Sequence, residues 1–272
     1  MKRSLNYFVP LAISMVVIVA ASCASVKAGN QGPSVWPVGQ SVVYEMTRSQ
    51  TQTIEVPGQG GQVSESSNTF IINVESIGIR QFRLKVLEAS TTSPTESVDP
   101  VIGLESVIQL DERGLISEAS GLEDNAFVES RGGVDLFKED LQPLFFYQPE
   151  GALIPGVQWS RDYSITAMQS TIDVTRAFND AFSCVEETTL EGDTVFRIDV
   201  VSDADFSGPG ELSGMVIDLK MTGTLEGSLH VDPATGMVLT YEMKGQMSGA
   251  IYSDQIDLPM TLDAAMILKI RK

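Results

Sequence analysis

A nucleophilic mechanism needs a base within hydrogen-bond reach of the attacking atom, and histidine is the usual one. The 272-residue chain has a single histidine, His230, between Leu229 and Val231. It falls on the polar phase of an alternating run beside a turn, where a solvent-facing strand residue is expected. Cys184 follows Phe182 and Ser183 with nothing basic adjoining it, and reads as a small buried apolar residue. Asp203, Asp205, Ser207 and Gly208 match the first half of a calcium loop. Gly214, however, holds the twelfth position, where such a loop closes with a bidentate glutamate. A polar turn bounded by Pro209 and Gly210 is therefore expected. Glu186, Glu187, Glu191 and Asp193 read as a solvated hairpin turn. No Gly-x-Ser-x-Gly, Ser-x-x-Lys, Cys-x-x-Cys, His-Glu-x-x-His or Gly-x-x-x-x-Gly-Lys motif occurs, which removes most hydrolase, redox, zinc and nucleotide readings together. The residues point to no enzyme, no metal site and no cofactor.

The unusual residues are methionines. Met215, Met221, Met237, Met243, Met247, Met260 and Met266 are seven of the chain's eleven, and they share one face with Leu219 and Tyr241. Gly223, Gly227, Gly245 and Gly249 are interleaved with them. Methionine is unbranched and polarisable, so surfaces rich in it repack around ligands of different shape. Glycine within a strand marks a bend or a close approach by another group. The elements that carry these residues are three long antiparallel strands over residues 215–231, 237–251 and 256–270. Each alternates apolar with polar positions and so presents one apolar and one wetted surface. A turn at Asp232-Pro233-Ala234-Thr235-Gly236 separates the first two. The apolar face has two explanations at this stage. It encloses a cavity for an acyl chain or other apolar ligand, or it closes on the first half of the chain as an ordinary core.

The beginning of the chain carries Lys2 and Arg3, an apolar run over residues 7–21, and small residues at Ala20-Ala21-Ser22 before Cys23. A basic end, a short apolar core and small residues before a cut form an export signal, and the run is short of the ~20 residues that span a bilayer as a helix. The segment resembles the lipobox of bacterial lipoproteins, which implies removal of residues 1–22 and lipidation of Cys23. Ordinary cleavage after Val26-Lys27-Ala28 is the competing site. Ala24 follows Cys23 in place of the aspartate that holds such proteins in some inner membranes, so the resemblance implies outer-membrane attachment in a bacterial envelope. With Cys23 acylated, Cys184 has no intrachain partner and burial must hold the domain together. The net charge of −18 and pI near 4.3 argue against nucleic acid, because a phosphate backbone needs clustered Lys and Arg.

Residues 23–36 read as a tether rich in Gly and Pro, and 37–272 as a β-rich domain. Residues 50–68, around Pro57-Gly58-Gln59-Gly60-Gly61, read as a mobile connection, while alternation at Phe70, Ile72 and Val74 and at Phe82, Leu84 and Val86 predicts strands. Val134, Phe137, Leu141, Leu144 and Phe145 recur at three- and four-residue steps, which predicts one short helix over 134–146, kinked or shortened by Pro143. Faint echoes, such as Arg80-Gln81-Phe82-Arg83-Leu84 with Thr194-Val195-Phe196-Arg197-Ile198, suggest two repeats, 37–150 and 151–272; chance likeness between amphipathic strands is the alternative.

The proline-flanked helix leading to Pro155 and Trp159, with Gly223, Gly227, Asp232 and Gly236 in the late hairpin, resembles a group of uncharacterised bacterial lipoproteins over about residues 134–251. The resemblance implies a fold related to the lipoprotein-carrier (LolA/LppX-like) architecture, a half-barrel with a helix over its concave apolar face. The expectation is all-β with minor α, a curved antiparallel sheet under one covering helix. Its function is expected to be non-enzymatic, binding an apolar ligand or a lipoprotein partner, with a structural or surface role as the alternative. Expression with a labelled fatty acid in a bacterial host should label the full-length protein, and Cys23→Ser should abolish that label. Labelling that persists in the variant rejects Cys23 as the anchor.

Overall fold

The computed structural model describes residues 36–93, 97–169, 172–212, 215–254 and 256–271. The expected signal segment, Cys23 and nearly all of the tether lie outside the described residues. Trp36, expected to end the tether, is instead a core residue at 5% exposure, packed against Tyr44 and edge-on to Phe82. An indole at this position buries more apolar area than a linker residue can leave in water.

Among the described residues, eleven strands form one antiparallel sheet. The first five, β1 (Ser41–Val56), β2 (Gly60–Gly78), β3 (Gln81–Thr91), β4 (Glu105–Leu110) and β5 (Ile116–Ser120), make a meander. A second meander contains β6 (Gln158–Gln169), β7 (Ile172–Leu190), β8 (Asp193–Leu212), β9 (Met215–Val231), β10 (Val238–Ser253) and β11 (Asp257–Ile270). Pairing of β1 with β11, from Tyr44 opposite Ile270 to Ile54 opposite Met260, joins the two and leaves β5 and β6 as the edges. Residues 50–68, expected as a mobile loop, are mostly the paired arms of the β1–β2 hairpin. Their backbone amides and carbonyls pair, whatever the polarity of the side chains, in a ladder that runs from Ser41 opposite Glu75 to Val56 opposite Gly60. Likewise β8 runs straight through Pro209 and Gly210, where a turn was expected, because Pro209 sits opposite Asp218 in a continuous ladder.

Between the edges the chain crosses the inner face through α1 (Ala126–Ser130) and α2 (Val134–Leu141), followed by a 3-10 turn at Gln142–Leu144. The covering element is thus two short helices rather than one. The Asn125 side chain caps α1 by accepting from the Phe127 and Val128 amides. Pro143 ends α2, as the sequence predicted, because it has no amide to continue the ladder. Leu136, Phe137 and Leu141 of α2 are buried. This helix packs against both edge strands, β5 and β6, which lie ten steps apart in the sheet. Flat, ten steps of about 4.8 Å would separate them by roughly 48 Å. The sheet is therefore strongly curled around its crossover.

The curl depends on glycines of β8 to β10. A Cβ on Gly227 would fall 1.9 Å from the Glu242 carbonyl oxygen, and one on Gly249 1.9 Å from that of Lys220. Neighbouring strands approach more closely here than any side chain permits. Two apolar clusters result. The larger lies under the helices and includes Trp36, Tyr44, Phe82, Ile108, Leu144 and Leu268. The smaller, toward the opposite strand ends, holds Val174, Ala204, Leu219, Met221, Met247 and Met260. Gly227→Val should lower the urea-unfolding free energy by about 1–3 kcal/mol, the usual scale of overpacking. Gly151→Ala, where an added Cβ meets nothing within 4 Å, should leave it within about 0.5 kcal/mol of the parent.

Candidate functional site

The strand alternation that buries one face also decides what that face presents to the crossover. Between α2, the segment Phe145–Tyr147 and the inner surfaces of β1, β2 and β6–β11 lies a cavity of about 320 Å³. Its apolar wall includes Leu225 and Leu229 of β9, Val238, Met243 and Met247 of β10, and Leu262 and Met266 of β11. Phe178 and Phe206, packed edge-on at 5.6 Å, extend that wall onto β7 and β8. Tyr241 completes it, its hydroxyl 3.4 Å from the Met243 sulfur and its pKa raised by burial.

The opposing side is charged. Glu139 and Asp140 are adjacent on α2, so their side chains leave the helix about 100° apart. Asp140 pairs with Arg48 of β1, whose guanidinium also reaches the Asp140 carbonyl oxygen at 2.5 Å. Glu139 faces Arg176 of β7 at 3.5 Å. Strands β1 and β7 are five steps apart, roughly 24 Å if the sheet were flat. That two neighbouring carboxylates hold both shows how tightly the walls wrap the helix. Burial pushes the Glu139 carboxyl above the usual range, opposed by Arg176.

A third pair is more deeply set. Arg161 donates from Nε to Asp180 Oδ2 at 2.9 Å, with side-chain exposures of 12% and 5%. Ser202 donates to the other carboxylate oxygen at 2.6 Å. The Arg161 guanidinium lies 4.4 Å from the Tyr163 ring centroid, so an aromatic face shares its charge. The Tyr163 hydroxyl is raised well above its ordinary pKa by burial, and Glu139 adds to the effect.

Of the sequence-predicted site residues, Tyr241, Met243, Met247 and Met266 line the cavity. Leu219, Met221 and Met260 are buried in the smaller cluster, where they serve as packing. Met215 is half-buried at the start of β9 and lies outside the lining. Met237 also lies outside it. A register shift between Val238 and Thr240 breaks the simple alternation, so Val238, at 1% exposure, takes the inward place expected of its neighbours Met237 and Leu239. The charged lining was not singled out from sequence, yet a signal existed. Arg48 follows Tyr44 and Met46 in phase, and Arg176, Phe178, Asp180 and Phe182 alternate inward on β7. A charged residue at an inward position is costly unless paired, and so marks a site.

The other candidates lie elsewhere. His230 pairs across the β9–β10 ladder with Thr240, its Nδ1 2.9 Å from that hydroxyl. Cys184 is buried at 1% exposure, and burial pushes its thiol up to about 11. Asp203 and Asp205 project outward from β8, where Asp203 accepts from the Thr224 hydroxyl at 2.8 Å. Among the described residues no group of three or more His, Cys, Asp or Glu could hold a metal ion.

No family model matches the chain, and no curated protein matches it. Among solved structures it is similar to lipovitellin, with a TM-score of 0.53 at 10% identity over 87% of this chain. The chain spans 25% of the length of lipovitellin. The likeness is one of fold, a broad antiparallel sheet. A loop-deletion mutant of OmpT, an outer membrane protein of Vibrio cholerae, aligns at a TM-score of 0.16 and 9% identity over 85% of this chain and all of its own. That value is too low to bear on the fold.

Asp180→Ala should cost about 3–5 kcal/mol in urea unfolding, because it strands Arg161 in the interior. A loss below about 1 kcal/mol, the range of exposed pairs, would show that the Arg161–Asp180 pair is solvated.

Proposed function

We propose that this protein is a non-enzymatic, lipid-anchored component of a bacterial envelope that holds an apolar ligand beneath its crossover helices. The observation that carries the reading is the 320 Å³ cavity walled by Leu225, Leu229, Met243, Met247, Leu262 and Met266. Its volume lies at the low end of small-molecule sites, about 300–1,000 Å³, and its wall can repack around an acyl chain. Two likenesses support the reading. The lipovitellin structure concerns lipid–protein interactions in that protein, and the late-hairpin and helix motifs resemble a group of uncharacterised bacterial lipoproteins whose fold is expected to be related to the lipoprotein-carrier (LolA/LppX-like) architecture. Anchorage through Cys23, in the outer membrane, places the cavity beside a source of apolar ligands.

A second reading, a structural or surface-interaction lipoprotein without ligand, draws on the burial of Leu219, Met221, Met247 and Met260 in the smaller cluster. Mass spectrometry of the natively purified protein separates the two: the carrier retains a stoichiometric lipid, and the structural protein does not. Ala264 borders the cavity. Ala264→Trp should fill the space and weaken binding of a fluorescent acyl probe by about tenfold or more, a loss of about 1.4 kcal/mol. Unchanged probe binding in a folded variant rejects the cavity as the ligand site.

A further inference from the structure

The wall opposite the methionines is poor as a container for a neutral lipid. Four arginines, Arg48, Arg131, Arg161 and Arg176, border the cavity against three carboxylates, Glu139, Asp140 and Asp180. Arg161 is fully engaged by Asp180 and by the Tyr163 ring. Arg48 and Arg176 are not: among the described residues, the buried Nε atoms of both lack any hydrogen-bond partner. Both side chains are largely buried, at 24% and 20% exposure. Among the described residues, the ion pair of Arg176 is its 3.5 Å contact with Glu139, and its guanidinium also lies 5.2 Å from the Phe206 ring centroid. Burial favours the neutral form of that carboxyl, which weakens its hold on Arg176. A buried guanidinium with an idle donor is costly, and its planar fork matches the two oxygens of a carboxylate or phosphate.

Granted the apolar-ligand reading above, we propose that the cavity selects a single-chain amphiphile with an anionic head. Its tail lies along the methionine strands and its head is received by Arg48 and Arg176. The volume suits one chain rather than two, since it sits at the floor of the usual range of about 300–1,000 Å³. Glu139 then acts as an internal counter-ion that the ligand head displaces from Arg176.

The test titrates delipidated full-length protein, below the micellar concentration of each probe, with oleate, oleyl alcohol and oleyl phosphate. Parent protein should bind oleate and oleyl phosphate at least about tenfold more tightly than the alcohol, the scale of one charge-assisted hydrogen bond. Arg176→Gln should remove that preference by weakening the anionic probes far more than the alcohol, and Arg176→Lys should keep part of it. Glu139→Gln, which keeps shape and packing, should tighten oleate binding by more than it changes binding of the alcohol. It serves as the control should Arg176→Gln fail to fold. Equal binding of the anionic and neutral probes overturns the headgroup assignment but leaves the apolar cavity standing. Failure of all three probes to bind overturns both. Oleyl phosphate strongly preferred over oleate identifies a phosphate head as the source of the charge, and the reverse identifies a fatty acid.

Discussion

A sheet eleven strands wide hides its apolar face only by curling, and in this protein the curl is permitted where backbones come closer than a Cβ allows. Gly223, Gly227, Gly245 and Gly249 sit opposite Met247, Met243, Leu225 and Met221 across the β9–β10 ladder. Each small residue thus lets a large one lean over it. Methionine suits that role because its unbranched chain settles into the irregular gap beside a bare backbone. Without those close approaches the sheet would flatten, β1 and β7 would separate, and α2 could not reach both.

The curled sheet turns a linear alternation into an enclosure with two unlike ends. At one, Leu219, Met221, Met247 and Met260 interlock as ordinary core. Toward the crossover, helices too short to fill the trough leave space above the same strands. The segment that partly fills it brings its own charges, because α2 is amphipathic and its polar side meets inward-pointing arginines of β1 and β7. Ion pairs in such a place are poor net stabilisers, since desolvation offsets their attraction. They fix the position of the helix, and among the described residues they leave the buried Nε donors of Arg48 and Arg176 without partners at the border of the cavity. The coexistence of a repackable apolar wall and incompletely satisfied guanidinium groups is what makes the cavity more than a packing defect.

Much of the architecture was legible in the residues. Period-two alternation marked β9, β11 and β10 beyond its irregular start, and the three- and four-residue spacing of Val134, Phe137 and Leu141 marked α2. Composition misled where a strand was polar on both faces. The Ser-, Thr- and Gln-rich arms of β1 and β2 near Pro57 look like a loop because their neighbours, rather than a hydrophobic core, hold them in the ladder. Pro209 and Gly210 misled in the same way within β8. A lone Trp36 ahead of the first strand gave no periodicity to count.

The candidate site divides along the same line. Residue types and their period by themselves determined that one face of the last strands would be apolar, rich in methionine and notched with glycine, and they assigned Tyr241, Met243, Met247 and Met266 to it. Which part of that face would become core and which would border a cavity was decided only by tertiary structure. Alternation specifies the side of a strand and says nothing of what lies across from it. Arg48, Glu139, Arg176 and Asp180 are separated by up to 132 positions along the chain. Only the β1–β11 pairing and the wrap of the sheet around α2 bring them to one space.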